Sequence, residues 1–206
     1  MRTWCVSWRA GRRHALALVA LIAALAFPTV VAAAVDKFHR LEIVATANFV
    51  VTQTCADNST RTLRVTVIGG HEEEAESGTS TRDSDFLTVL IRGIDCEGNF
   101  VNDRAGGTGE FTFSPSLQTA SITGTVTSRD DREIVVDVTW EGTGPLEITS
   151  NTTIFTGFTG LFLSRLREAV ATGTVVVDGQ TLVDGSTTNA RIESLEDTNI
   201  STGAGG

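Results

Sequence analysis

Residues 41–52 read LEIVATANFVVT, and apolar side chains occupy every second position of this stretch. One set would share a single face of an extended strand: Leu41, Ile43, Ala45, Ala47, Phe49 and Val51. Glu42, Thr46, Asn48 and Thr52 would share the opposite face. Strict alternation is typical of a strand with one buried and one solvated face, so the pattern predicts a half-buried β-strand.

The same alternation recurs along the chain, at 63–67, 87–91, 120–126 and 134–140. Clusters of Gly, Asp, Asn and Pro separate these runs and are typical of turns. Short alternating strands joined by turns favour two packed sheets or a closed sheet. The sequence therefore predicts an all-β antiparallel β-sandwich, with a Greek-key or barrel-like variant left open.

One segment has a mixed pattern. Between residues 160 and 167 the apolar positions also fit one short helical turn. Residues 166–175, however, share the pattern L-x-x-A-x-x-T-G-T-V with residues 117–126. We therefore predict a strand from Glu168, preceded by at most one helical turn near 160–167.

Residues 1–34 have the composition of a cleavable export signal. Four arginines precede an uninterrupted apolar run at 15–27, which is shorter than the roughly 20 residues of a membrane-spanning helix. Ala32 and Ala34 then supply small residues at the −3 and −1 positions of a signal peptidase site. Cleavage is predicted after Ala34.

The signal also indicates where the protein works. Its alanine-rich composition is typical of bacteria, and Arg12-Arg13 leaves both the general secretory and the twin-arginine routes open. Cys5 precedes the apolar run instead of following it, so no lipid attachment site is predicted. We expect a secreted or periplasmic protein without a stable membrane anchor after cleavage.

The exported part of the chain is strongly acidic. Four of the 16 basic residues lie before residue 35, whereas all 25 acidic residues lie after it, so the remaining net charge is −13. Such a charge repels phosphate backbones and anionic lipids and argues against nucleic acid and membrane surfaces as partners.

About 170 residues suit one domain, predicted at 35–197. The polar, glycine-rich residues 198–206 are predicted to be a disordered tail.

Two cysteines remain after cleavage, Cys55 and Cys96. An even pair in an exported protein favours a disulfide, and two unpaired thiols are the alternative. Closing a loop of about 40 residues would stabilise the fold by roughly 4 kcal/mol in the chain-entropy model.

An acidic cluster follows the second predicted strand. We interpret it as a loop between two strands, containing His71, Glu72, Glu73, Glu74, Glu76, Asp83 and Asp85. Clustered carboxylates suit calcium, which takes six to eight oxygen ligands. A solvated acidic loop without a cofactor is the alternative, since the spacing matches no EF-hand.

Catalytic motifs do not stand out. The chain has no G-x-S-x-G element, and its exported histidines, His39 and His71, lie in polar segments. Trp140 shares its alternation with three apolar residues, which predicts a core position instead of an exposed sugar platform.

The predicted function is therefore a non-enzymatic, extracytoplasmic β-sandwich that binds another macromolecule or helps to organise the envelope. Its partner would be a protein or envelope component that the sequence does not identify, and the sequence does not indicate an oligomeric state. Two alternatives remain, a calcium-dependent binding module that uses residues 71–85 and a secreted hydrolase.

Overall fold

The computed structural model describes residues 35–202, which form ten β-strands. The strands are β1 (Val35–Thr54), β2 (Thr60–Glu76), β3 (Thr79–Ile94), β4 (Phe100–Gly107), β5 (Glu110–Phe113), β6 (Thr119–Thr127), β7 (Glu133–Gly142), β8 (Glu147–Phe155), β9 (Phe158–Val177) and β10 (Gln180–Thr202). No helix occurs among these residues, and hence none that could cross a bilayer. The predicted signal and its cleavage site at Ala32 and Ala34 lie outside the described residues.

All ten strands belong to one antiparallel sheet, in which nine follow the order β4-β3-β2-β1-β10-β9-β7-β6-β5. The remaining strand, β8, pairs with residues 158–166 of β9, whereas β7 pairs with residues 169–177 of the same strand. Neighbours in this order are consecutive in the chain except at β1–β10 and β7–β9. The predicted all-β antiparallel fold is confirmed. Its topology is a meander, so neither the Greek-key nor the closed-barrel variant forms among the described residues. The edges β4 and β5 are consecutive in the chain, and one bridge, Ala105–Ser128, joins β4 to the end of β6.

In each half-buried strand, the apolar residues at alternate positions form the buried face. In β7 the even-numbered residues Ile134, Val136, Val138 and Trp140 are all at most 1% exposed, and the odd-numbered residues between them are exposed. The register carries this face across β6 and β9, where Ile122 and Gly173 lie opposite Val138. Trp140 is a core residue, as its alternation predicts.

The sheet folds over so that its two halves pack their apolar faces together. We call this packed face the inner face and the opposite one the outer face. Leu87 of β3 and Ile122 of β6 are both fully buried where the halves meet. Glycines allow the close approach: a Cβ at Gly69 would lie 2.9 Å from Ile122 Cβ, and one at Gly124 would lie 3.1 Å from Leu87 Cδ2. The two layers predicted from the sequence are therefore two halves of a single sheet.

Cys55 and Cys96 form the predicted disulfide, with their Cα atoms 5.3 Å apart. The bond joins the segment after β1 to the segment after β3 at one end of the sheet. Disulfides of this kind persist in oxidising compartments, so the bond indicates an extracytoplasmic environment.

Two strand boundaries differ from those expected. Residues 160–167 form no helical turn, and β9 starts at Phe158 instead of Glu168. Residues 160–166 pair with β10 on one side and β8 on the other, and these backbone hydrogen bonds outweigh the weak helical spacing. The tail predicted from residue 198 also differs, since β10 continues to Thr202 along β1. Residues 203–206 lie outside the described range, and the domain limits of 35–197 otherwise stay a prediction.

The contact between the halves predicts a large effect at Gly69. Gly69→Ala would push a methyl group into the buried Ile122, and we expect a loss of about 1–3 kcal/mol in unfolding free energy. The matched control is Gly106→Ala, because a Cβ at this strand glycine would meet nothing closer than 3.7 Å. Its change should stay within about 0.5 kcal/mol. Urea denaturation measures both, and equal stabilities of the two variants would contradict the packing.

Candidate functional site

The predicted acidic loop is instead part of a regular hairpin. Glu72, Glu73, Glu74 and Glu76 lie in β2, and Asp83 and Asp85 lie in β3. The only turn between them is at residues 77–78. Because side chains alternate along a strand, Glu72 and Glu74 occupy the outer face, whereas Glu73, Asp83 and Asp85 occupy the inner face. The six carboxylates therefore do not converge on one point.

On the outer face, arginines neutralise the acidic residues. Glu72 is only 9% exposed, and its carboxylate oxygens lie 2.8 Å from Arg40 Nη2 and 3.1 Å from Arg82 Nη2. Arg40 also lies 3.3 Å from Glu42 and 3.8 Å from Glu74. A cation binding to Glu72 would have to displace both arginines.

The geometry gives no support to the calcium hypothesis. Within residues 35–202, no group of three or more His, Cys, Asp or Glu side chains is arranged to hold a metal ion. The six predicted ligands are divided between two faces, and Glu72 is paired with two arginines. Calcium binding at residues 71–85 stays a prediction.

On the inner face, His71 connects three strands. Its Nδ1 lies 2.8 Å from Asp85 Oδ1, and Asp85 Oδ2 accepts a hydrogen bond of 3.1 Å from the backbone N–H of Phe111 in β5. The imidazole also packs on Phe113, with ring centroids 5.8 Å apart. His71 and Asp85 thus link the β2–β3 hairpin to β5.

A histidine–carboxylate pair also supplies two of the three members of a hydrolase triad, which then lacks only the nucleophile. In the described structure, however, the second ring nitrogen of His71 faces the carboxylate of Asp83, at 3.9 Å, and not a hydroxyl. His39 hydrogen-bonds to Thr198 at 3.1 Å and lies 4.0 Å from Glu196. Both histidines therefore have structural partners. The hydrolase alternative gains no arrangement of nucleophile and base from these contacts.

A cleft of about 780 Å³ opens beside the disulfide. Its lining includes the guanidinium of Arg132, which lies 3.2 Å from Asp178 and 3.5 Å from the buried Asp103. Arg132 is paired with two carboxylates of the same chain. The cleft thus offers no free cationic group to a ligand, and we find a stronger candidate at the other end of the sheet.

That candidate is the apolar hairpin, which we define as residues 147–162. It comprises β8, the turn at 156–157 and the start of β9. Six of the ten large apolar residues that the described part of the chain exposes lie here: Ile148, Ile154, Phe155, Phe158, Leu161 and Phe162. Every residue of β8 is exposed, with Ile154 at 73% and Phe155 at 67%.

The register distributes these side chains over both faces of the hairpin. Phe155 lies opposite Phe158, and Phe162 lies opposite Asn151, all on the outer face. Ile148 and Ile154 belong to the inner face, because they alternate with these positions. The hairpin thus presents apolar groups on each side and an unpaired strand edge between them.

Sequence reasoning missed this hairpin. The available signal was a charge gap, because residues 148–164 contain no charged side chain although 20% of the chain is charged. A run of this kind is expected in a core strand, and only the pairing of β8 with a single neighbour shows that it is exposed.

Comparisons with known proteins add little. No family model and no curated protein matches the chain. A solved structure of a protein described as AttH, from Nitrosomonas europaea, aligns with 82% of this chain at 10% identity and a TM-score of 0.24. The match spans about half of that protein, 51% of its length. A likeness this weak supports no conclusion about fold or function.

The His71–Asp85 link predicts a difference between two neighbouring acids. Asp85→Ala would leave the Phe111 N–H and the His71 ring without their partner, and we expect it to lower the unfolding free energy by about 1 kcal/mol or more. Asp83→Ala removes the same charge from a side chain that is 73% exposed and should change stability by less than about 0.5 kcal/mol. Thermal or urea unfolding distinguishes them. A larger loss for Asp83→Ala would contradict the assigned roles.

Proposed function

We propose that this chain is an exported, non-enzymatic module that binds another protein through its apolar hairpin. The observation that carries the proposal is the exposure of all nine residues of β8, together with three aromatic rings that the hairpin leaves in solvent. The disulfide and the predicted export signal support an extracytoplasmic site of action.

The physical argument rests on apolar area. Each square ångström of apolar surface removed from water contributes roughly 25 cal/mol, so six exposed large side chains represent a substantial unrealised free energy. Contiguous exposed apolar surface of this kind usually marks an interaction site. Phe155 and Phe158 lie directly opposite each other on the outer face, and Phe162 lies further along β9 on the same face, so a single partner surface can cover the three rings together.

The strand edge adds specificity to this surface. β8 pairs only with β9, so the backbone N–H and C=O groups on its other side are unpaired within the described structure. An extended segment of a partner can bond to such an edge while its side chains contact the apolar groups on either face. This mode needs no reactive side chain, which agrees with the structural roles of His39 and His71.

The proposal predicts that binding depends on the aromatic rings of the hairpin. A partner would first be captured from native envelope or culture material with the exported protein, then identified, purified and titrated. The double variant Phe155→Ser/Phe162→Ser should weaken this purified complex about tenfold or more, because aromatic anchors commonly contribute over 1 kcal/mol each. Binding would be measured by calorimetry or biolayer interferometry.

The control is Phe100→Ser, which removes an equally large side chain, 75% exposed, from the distant edge strand β4. It should leave the affinity unchanged, and thermal melts would establish that both variants are folded. Equal affinities of the hairpin variant and the wild type would refute the hairpin as the binding surface.

A further inference from the structure

The edge strands of the sheet differ in how they are protected. Natural sheets guard free edges with charged side chains, with very short strands or by covering them, because an open edge pairs with other chains. Beyond Leu87, towards its start, β3 has no partner on one side, and this segment carries Arg82, Asp83 and Asp85. β4 carries Asp103 and Arg104 and bridges to Ser128, and β5 is only four residues long.

β8 has none of these protections. It is nine residues long, and its single charge, Glu147, is at its first position. No proline interrupts it, and no other strand covers its free side within residues 35–202. Of these four edges, β8 is the least protected against pairing with a strand of another chain.

We propose that this occupant is the β8 strand of a second copy, paired antiparallel about a two-fold axis at Asn151. The inference rests on the proposed function, because it names the partner of the same hairpin. The two sheets would join into one, and each copy would give the other an identical edge, as a symmetric dimer requires.

The sequence of β8 complements itself in this register. With Asn151 opposite Asn151 of the partner copy, Ile148 lies opposite the partner's Ile154, and the symmetry repeats this apolar pair. Thr149 then faces the partner's Thr153, and Ser150 faces the partner's Thr152. Apolar, β-branched pairs and threonine pairs directly across an antiparallel ladder both stabilise it. Directly opposed residues of antiparallel strands point to the same face of a sheet. With Asn151 opposite Asn151, the inner faces of both copies therefore lie on the same side of the joined sheet.

Charge also favours this edge for self-association. Two copies of the exported chain, each with a net charge of −13, repel each other over most of their surface, but β8 brings only one charge to the contact, Glu147 at the end of the ladder. Salt screens the more distant charges beyond about 8 Å at physiological ionic strength. Electrostatic repulsion between two copies is therefore weaker when they pair at β8 than when they pair at the charged edge of β3 or β4.

The first test is the oligomeric state of the exported protein by sedimentation equilibrium. We expect a concentration-dependent dimer, and Ile154→Lys should raise its dissociation constant about tenfold or more, since it breaks both apolar pairs and charges the edge. Val50→Lys adds the same charge at another exposed apolar site, 65% exposed in β1, and should leave the dimer intact. A monomer at every concentration would overturn the proposal.

The second test reads the register directly. Asn151→Cys should form a covalent dimer under mild oxidation, because cysteines directly opposite across antiparallel strands lie within disulfide range, about 4.4–6.8 Å between Cα atoms. Thr149→Cys alone should remain uncrosslinked, whereas a mixture of Thr149→Cys and Thr153→Cys should yield a mixed dimer. Mass spectrometry would verify that Cys55–Cys96 stays intact. Failure of Asn151→Cys to crosslink would overturn the register.

These outcomes separate the two proposals. A monomeric protein whose hairpin variant still loses an identified heterologous partner would refute self-association and leave the proposed function standing. A dimer that persists in Ile154→Lys would refute the use of the β8 edge. Circular dichroism of each variant establishes that a lost dimer does not reflect an unfolded chain.

Discussion

The contact between the two halves of the sheet is the constraint on which the rest of the structure depends. Every long strand has one apolar face, and a single sheet can bury that face only by folding over on itself. Gly69 and Gly124 have no side chains, so Ile122 and Leu87 can lie directly against the opposing backbone. A larger residue at either glycine would bring its Cβ closer to the opposing layer than an ordinary van der Waals contact. The disulfide then holds the end of the sheet where β1 and β3 stop.

The same arrangement explains why an exposed end remains. β1, β9 and β10 are each at least 20 residues long, but the packed layers cover only part of that length. Where the strands extend beyond the core, ion pairs such as Arg40–Glu72 occupy the outer face. At β8 neither charges nor a second layer cover the apolar groups. The fold thus combines a packed core with one uncovered strand edge, that of β8, and we assign the binding role to this edge.

Much of the scaffold could be predicted from local sequence. The alternation in 41–52 and 134–140 identifies β1 and β7 with their buried faces, and the cysteine count predicts the disulfide. The remaining errors concern long-range pairing. The acidic residues 71–85 resemble a loop because they lack the apolar alternation that identifies a strand in sequence. Pairing with β1 nevertheless holds residues 71–76 in a strand. The polar residues 198–202 resemble a tail, yet they pair with the start of β1.

The hairpin could not be predicted for the same reason. An uncharged run such as 148–164 looks identical in sequence whether the fold buries it or leaves it at an edge. The most direct test of the account is hydrogen–deuterium exchange of the dilute exported protein, resolved strand by strand. We predict that amides of β8 exchange much faster than those of β6 and β7, and become protected when the hairpin is occupied. Equal protection of β7 and β8 in the dilute protein would contradict an open, functional edge.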